Sequence, residues 1–507
     1  MLRLTLKALQ ASNRGVTARC IHFDSALAVA ALVATLLSSY SQSSPLTFES
    51  TYGGTADDIG FETVQTSDGG YVFTGVTESF GAGGYDAYLV KTDAYGDTLW
   101  TKIFGGAKDD VGQSVQQTTD GGYMIAGVSQ SFGAGGDDVY LIRTDPNGDT
   151  VWTRTFGGSQ DESPSSVERT VDGGCIVCGN TSSFGAGGED VWLIKTDSNG
   201  DTLWTRTFGG SGNDAGTSVQ QTTDGGYIIS GTTRSFGAGS KDVWLIKTDS
   251  MGDTLWTKTF GGDSIDCGGS AQQTADGGYI VVGWTFSYSD SPRIYLVKTN
   301  AGGDTLWTKT IGGRGWVEGF SGAQVKDGGY IIVGICGVGL PDVYLVRTDA
   351  NGDTLWTRTF GGLDFDGGYS VQQTADGGYV IAGQTYSFGA GLSDFYLIKT
   401  DSAGKVAVAE PKASPPRAPV LSLTCEPNPF CISTKMSLST QVSNSKPQAL
   451  RVYDVQGRLV RTLAVNRESH TIWDGRDDMG QLLPSGTYLV RCSAATEHAA
   501  TRLVLQH

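Results

Sequence analysis

The chain has 507 residues, with 36 Lys plus Arg against 53 Asp plus Glu and a formal net charge of −17. Its 74 glycines come with only 13 prolines and no Gly-X-Y period, which excludes collagen, and aromatic residues at 10% are too many for a disordered chain. The acidity excludes a nucleic-acid partner, whose phosphates need Lys and Arg; it sits in residues 47–412, with 45 acids and 22 bases, and draws cations there.

The first apolar run is Ser25 to Ser38, SALAVAALVATLLS. Its length falls short of the ~20 residues a spanning helix needs. Arg14 and Arg19 precede it and small polar residues follow. It therefore reads as a secretory signal peptide over 1–41, with an extended n-region and cleavage near Ser41. No later segment is apolar enough to cross a bilayer, so a mature chain without a transmembrane segment is expected. Of eight Cys, Cys20 leaves with the signal. Seven remain, an odd number, so at least one is unpaired within the chain.

Internal repetition follows. A DGG turn begins at Asp68, Asp120, Asp172, Asp224, Asp276, Asp327 and Asp376. An aromatic residue or Ile before Gly-Gly falls at Tyr52, Phe104, Phe156, Phe208, Phe260, Ile311 and Phe360. GDTLWT or GDTVWT starts at Gly96, Gly148, Gly200, Gly252, Gly303 and Gly352. Each unit reads as four strands; in the second they are 112–118, 122–129, 138–145 and 149–157, rich in Val, Ile, Tyr, Trp and Thr. T-D-G-G joins the first two as a tight hairpin. Seven such units predict an all-β fold, a seven-bladed β-propeller over 46–410 followed by a small Ig-like β-sandwich. The Trp of each fourth strand, such as Trp100 and Trp204, is expected to fill the space between blades. Cys175 and Cys178 share a strand at i and i+3, so they face opposite ways and read as packing residues.

The order of these signals resembles WD-repeat propellers in its strand order, although the WD dipeptide and the Gly-His pair are absent. That resemblance implies units offset from blades. Residues 46–54 then complete the last blade, with GKVAVAE (404–410) as the competitor for that place.

A Pro-rich linker, PKASPPRAP, occupies 411–419, and residues 420–507 form the last domain. Pro427–Phe430 (PNPF), Leu450–Leu463 (LRVYDVQGRLVRTL), Trp473–Gly475 (WDG), Gly480 and Ser485–Val490 (SGTYLV) resemble the Ig-like sandwich of the flagellar hook-capping family and of type IX secretion sorting domains. The resemblance implies a β-sandwich. Its sorting members imply recognition of residues 420–507 by the secretion machinery of the outer membrane, then release or retention at the cell surface. Cys425 is expected to pair with Cys431, or one of them with Cys492.

Only four His occur, His22, His470, His498 and His507, none of them in the propeller. That excludes a Ser-His-Asp arrangement or a His-ligated metal there, and no catalytic residue is assigned. Two recurring loops, GGxxxDD-like and SFGAGGxD-like, are expected on one face. They gather Asp57, Asp58, Asp109, Asp110, Asp137, Asp138, Asp214 and Asp366. Two readings of these acids stay open: a ring of calcium sites, the one cofactor considered, or Asx-type acceptors for loop amides. The fifth and sixth units lack FGAGG. The break places Trp284, Phe286, Tyr288, Arg293, Arg314 and Trp316 at one junction, a candidate corner for a glycan or peptide ligand.

The function expected is an exported, non-enzymatic propeller, displayed at the cell surface or released, that binds an extracellular ligand or polymer. The alternatives are a polysaccharide hydrolase or lyase using propeller carboxylates, and a structural surface-layer component. Non-recurrent acids and Tyr in a deep central pocket favour the enzyme; a shallow, repeated face favours binding or structure.

Overall fold

The computed structural model describes residues 46–313, 315–406 and 421–506, with 427–429, 431, 441–448, 455–457, 466–469 and 495–496 excepted. The expected signal peptide, Arg314, the Pro-rich linker, Cys431 and most of PNPF lie outside the described residues. Contacts divide the chain at Val408/Ala409, and each part is described by itself.

Among the described residues, the repeat region forms seven four-stranded sheets. In the second sheet the inner strand Asp110–Gln117 pairs with Tyr123–Ser129, which pairs with Asp138–Thr144, which pairs with the outer strand Thr150–Phe156, all antiparallel. The middle two strands, YMIAGVS and DVYLIRT, are buried along their whole length. The outer strand TVWTRTF alternates between exposed and half-buried positions, as a strand with one wet face must. Thr118, Asp120 and Gly121 shape the hairpin between the first pair. Gly121 takes φ +87°, a conformation that a Cβ would strain.

A blade of this kind buries one face only against a neighbour. Val72 and Leu89 of the first sheet pack with Val115, Ile125 and Ile142 of the second. Tyr88 and Phe73 of the first pack with Phe395 and Leu397 of the last, so the ring closes. Each such side chain contributes roughly 1.5–3 kcal/mol when buried, a contribution an isolated sheet forgoes. The outer-strand Trp stands between blades as expected: Trp100 meets Tyr123 of the next sheet edge-on at 5.7 Å, and Trp204 meets Tyr227 at 5.8 Å. In the third sheet Cys175 replaces that Tyr and packs in the cluster that Trp152 adjoins, while Cys178 joins the cluster on the opposite face.

The ring is latched by the N-terminal strand. Phe48–Tyr52 pairs antiparallel with Asp394–Thr400, from Phe48 opposite Lys399 to Tyr52 opposite Phe395. The competitor segment contributes a turn at Gly404, and its residues 407–410 lie outside the described residues. Latching covers the edge of the last sheet, which would otherwise offer unpaired amides and carbonyls.

All seven blades share one polar network. The Lys or Arg of the third strand is buried and reaches back to the Asp of the DGG turn: Lys91 to Asp68 at 2.9 Å, Lys195 to Asp172 at 2.9 Å, Lys399 to Asp376 at 3.0 Å. The same ammonium donates to a strand carbonyl, as Lys91 does to Thr92 O at 2.8 Å. The Asp also accepts from the turn Thr and Gly, as Asp276 does from Thr274 at 2.5 Å and Gly278 at 3.0 Å. Partial burial pushes Asp276 up, but the Thr274 hydroxyl, the Lys298 ammonium and the Gly278 N–H outweigh it and bring it down to about 2.

The C-terminal part is a two-sheet sandwich. Leu421–Glu426, Thr434–Thr440 and His470–Trp473 form one sheet; Leu459–Ala464, Ala449–Tyr453, Gly486–Ala494 and Glu497–Leu505 form the other. Trp473 is fully buried between Phe430 and Tyr488, with ring centroids at 5.5 and 5.4 Å, and its Nε1 donates to Arg476 O at 2.8 Å. Cys425 is a free thiol.

Two outcomes follow. The seven DGG carboxylates sit below their unfolded value, so the stability they contribute is complete above about pH 4 and is lost as pH falls toward about 2. Lys298→Met is expected to cost about 1–2 kcal/mol at pH 7, because Asp276 stays half exposed and solvated, and to shrink that acid loss; melting curves between these pH values test both. Deleting residues 46–52 is expected to lower Tm and to produce concentration-dependent association through the uncovered edge, read by calorimetry and light scattering.

Candidate functional site

The inner strands surround a central channel of about 330 Å³ to which all seven contribute. Every inner strand carries a bulge at the same step, between Gly60 and Glu62 in the first and between Gly368 and Ser370 in the last. A bulge leaves one residue outside the ladder and re-aims it. Around the ring those residues are Phe61, Gln113, Ser165, Thr217, Gly269, Phe320 and Tyr369, and all line the channel. The next position is Ser in six blades and Glu62 in the first.

Side-chain oxygens of one inner strand accept backbone N–H groups of the next. Val167 N donates to Ser114 Oγ at 2.9 Å, Ala271 N to Ser218 Oγ at 2.9 Å, and Gly322 N to Ser270 Oγ at 2.9 Å. Glu62 Oε2 takes the same role toward Val115 N, at 2.9 Å. A second tier uses the first Gln of S-V-Q-Q, as in Gln273 N to Gln220 Oε1 at 2.7 Å; Glu168 stands in that tier and accepts from Gln221 N. A third tier uses the second Gln, as in Ala375 N to Gln65 Oε1 at 2.8 Å. Burial pushes both Glu62 and Glu168 up to about 7, against the amide bonds that favour their ionised forms; the nearby Glu62 charge also raises Glu168.

The channel departs from sevenfold symmetry on one side. Phe320, Tyr369 and Phe61 come from three consecutive blades, with Tyr369 5.7 Å from Phe320 and 6.2 Å from Phe61. Across from them stand Ser165, Thr217 and Gly269. The expected aromatic corner forms in part. Phe286 contacts Trp284 at 5.7 Å and Trp316 at 5.9 Å, both edge-on, and Trp316 is 47% exposed. Tyr288 instead packs against Tyr295 at 5.6 Å in a tilted arrangement, and Arg293 donates to Ser291 Oγ of its own loop at 2.7 Å and to Gly315 O, in the loop before the next inner strand, at 3.0 Å. Trp316 begins the inner strand Trp316–Gln324 that also carries Phe320, so one strand carries aromatic residues of both clusters.

The two acidic loops do share a face: Ala56 N donates to Ser79 Oγ at 3.0 Å and Tyr85 N to Asp109 Oδ1 at 3.0 Å. Their acids serve as acceptors. Asp58 takes Gly54 N at 2.7 Å and Ser79 Oγ at 2.6 Å; Asp366 takes Gly362 N at 2.8 Å and Ser387 Oγ at 2.7 Å. Asp110 takes Gly106 N at 2.7 Å and Asp214 takes Gly210 N at 2.9 Å. Asp138 takes Ala134 N at 2.9 Å, and Asp57 takes Ser393 Oγ at 2.8 Å. Asp137 is half-buried, and its carbonyl accepts Glu162 N at 2.7 Å. Among the described residues no group of three or more His, Cys, Asp or Glu is arranged to hold a metal ion.

The channel residues were the part that sequence reasoning missed. The signal lay in the register of S-V-Q-Q. Aligning the units there exposes Glu62 among six serines, Glu168 where four units have Gln, and Phe61, Phe320 and Tyr369 against Gln113, Ser165, Thr217 and Gly269.

Residues 432–498 match the FlgD Ig-like domain family. The regulatory protein FlaEY of Caulobacter vibrioides is 26% identical over 172 residues, which cover 29% of this chain and 18% of that protein's length. Among solved structures, PorZ of Porphyromonas gingivalis is similar at TM-score 0.41 and 12% identity, covering 90% of this chain and 60% of that one; its description is an essential bacterial surface component of the type IX secretion system. The Pan2 WD40 domain of Neurospora crassa is similar at TM-score 0.43 and 10% identity, covering 70% and 96%. The periplasmic gluconolactonase PpgL of Pseudomonas aeruginosa is similar at 0.44 and 12%, covering 69% and 94%.

Glu62→Gln tests the channel electrostatics. Gln keeps an acceptor for Val115 N but does not titrate. A carboxyl raised from about 4.3 to about 7 on folding takes stability away as pH rises through that window. The variant is therefore expected to gain at least about 2 °C in Tm at pH 8, with the gain vanishing by about pH 4.

Proposed function

We propose that the protein is an exported propeller that binds an extracellular polymer, with a saccharide chain as its ligand, and that its C-terminal Ig-like domain serves export or attachment. The aromatic arc Phe320–Tyr369–Phe61 over the serine tier carries this reading. Flat aromatic faces suit the apolar C–H faces of sugar rings, while the hydroxyls of the serine tier suit their OH groups. Trp316 and its partners extend the same chemistry to the rim, so a chain end in the channel continues along the corner. The signal-like segment at 1–41, and the likeness of residues 420–507 to sorting domains, support an outer-membrane export route and a place at the cell surface.

The polysaccharide hydrolase or lyase is the second reading, favoured by one observation: Glu62, which lines the channel, and Glu168, on an inner strand, are non-recurrent acids, both near 7 and so each able to hold or release a proton near neutrality. Against it, each already accepts a neighbouring blade's amide, which is the scaffold's use for that position.

Glycan and peptide arrays probed with the full chain separate these readings. Retention on glycans is expected, to be reduced at least about tenfold, roughly 1.4 kcal/mol, by Tyr369→Ala or Trp316→Ala and left intact by Glu62→Gln. Release of reducing ends that Glu62→Gln abolishes would establish the enzyme instead. Retention on peptides alone would overturn the saccharide reading.

A further inference from the structure

Between neighbouring blades two carboxylates meet over a glycine. At the junction of the third and fourth sheets they are Asp190, first residue of Asp190–Thr196, and Asp214, first residue of Asp214–Gln221. A Cβ on Gly209 would stand 1.6 Å from Asp190 Oδ1 and 2.9 Å from Asp214 Oδ2, so only glycine fits. The arrangement recurs with Asp394 and Asp58 over Gly53, at 2.3 and 2.6 Å, and with Asp242 and Asp266 over Gly261, at 2.5 and 2.4 Å. Gly105, Gly157 and Gly361 carry the same kind of pair, which makes six junctions.

One oxygen in the pair is left over. Asp214 Oδ2 accepts Gly210 N at 2.9 Å and Ser235 Oγ at 2.6 Å, and Asp190 Oδ2 accepts Ala186 N at 2.6 Å. At this junction Asp190 Oδ1, on a residue 1% exposed, has no hydrogen-bond partner among the described residues, and it is the Asp190 oxygen that shares the Gly209 Cβ position with Asp214 Oδ2. Burial and the facing Asp214 charge hold the Asp190 carboxyl above its usual range. A buried, unpaired carboxylate oxygen beside a second carboxylate is costly unless a positive charge stands between them.

The seventh junction differs. There Arg293 replaces the third-strand acid and Val317 the inner-strand acid, while Gly312 remains between them, its Cβ position 2.4 Å from Arg293 Cδ. Both acids are absent together, and a fixed cation has entered from the chain. A shared proton needs no such exchange, whereas a bound cation predicts it: remove both ligands and supply the charge covalently. Ca²⁺ takes carboxylate and water oxygens at about 2.3–2.6 Å in irregular geometry, which suits two carboxylates held by separate sheets.

We propose that these carboxylate pairs are Ca²⁺ sites that clamp each blade to the next, six around the ring, with Arg293 as the built-in substitute at the seventh junction. The pairs differ from a shell of exposed loop aspartates, because in each pair one ligand comes from either side of the junction.

The test uses the full chain, stripped with EGTA and titrated with CaCl₂ by calorimetry, with melting curves alongside. Six equivalents of Ca²⁺ are expected, with a Tm several degrees higher with Ca²⁺ than with EGTA. Asp190→Asn is expected to lower the count by one. The double variant Arg293→Asp with Val317→Asp is expected to raise it by one, and it decides the matter if Asp190→Asn does not fold. Absence of Ca²⁺ binding overturns the proposal. So does a count unchanged in both variants, or a Tm that moves between about pH 5 and 8 but responds to no divalent cation, which means shared protons.

Discussion

The innermost strand of a blade has a free edge, and its N–H groups have no fifth strand to bond. In this ring the neighbouring blade supplies acceptors from side chains, in two tiers of Ser and Gln, while the second Gln holds the adjacent DGG turn of the neighbouring blade. An unpaired buried amide costs about 1–3 kcal/mol, so each blade is stable only in company. The apolar clusters make the same demand, since each is shared between two sheets. Ring closure, the latch strand and the repetition of S-V-Q-Q are all consequences of that one need.

The constraint also explains where variation is tolerated. Any residue with an acceptor oxygen can occupy the serine or glutamine tier, so Glu62 and Glu168 keep the bond while adding charge. The bulged position has no place in the backbone ladder, so it is free to be Gln, Ser, Thr, Gly, Phe or Tyr. Chemistry that breaks the symmetry therefore collects in the channel, one residue per blade, on a scaffold that does not depend on its identity. The rim corner follows a different logic: loss of FGAGG let Trp284, Phe286 and Trp316 close on one another.

Much of this was legible in the primary structure because the signals recur. The DGG turns, the outer-strand Trp and the alternating strands specify the blade, and the offset of residues 46–54 specifies the latch. The loop acids were legible as a group, although Asp58, Asp110 and Asp366 turn out to hold Gly-Gly and Ser-Phe-Gly loops through amides and hydroxyls. Less legible was the third-strand Lys or Arg, which looks like a surface charge in KTD or RTD but is buried against the DGG Asp in every blade. Tyr288 and Arg293 show the limit of placement by loop. Both lie in the irregular sector, yet Tyr288 packs on Tyr295 of its own blade and Arg293 bonds loop atoms on both sides of the junction rather than the aromatic cluster.

Period, turn residues and apolar alternation are local, and by themselves they determined strands, hairpins, blade number and chain order. Which side chains share a space is a property of the closed ring. Phe61 and Tyr369 lie over 300 residues apart in chain order, and only closure brings them to one channel. Tertiary structure likewise decided that Asp190 faces Asp214 over Gly209, because the two carboxylates belong to sheets that meet only when packed side by side.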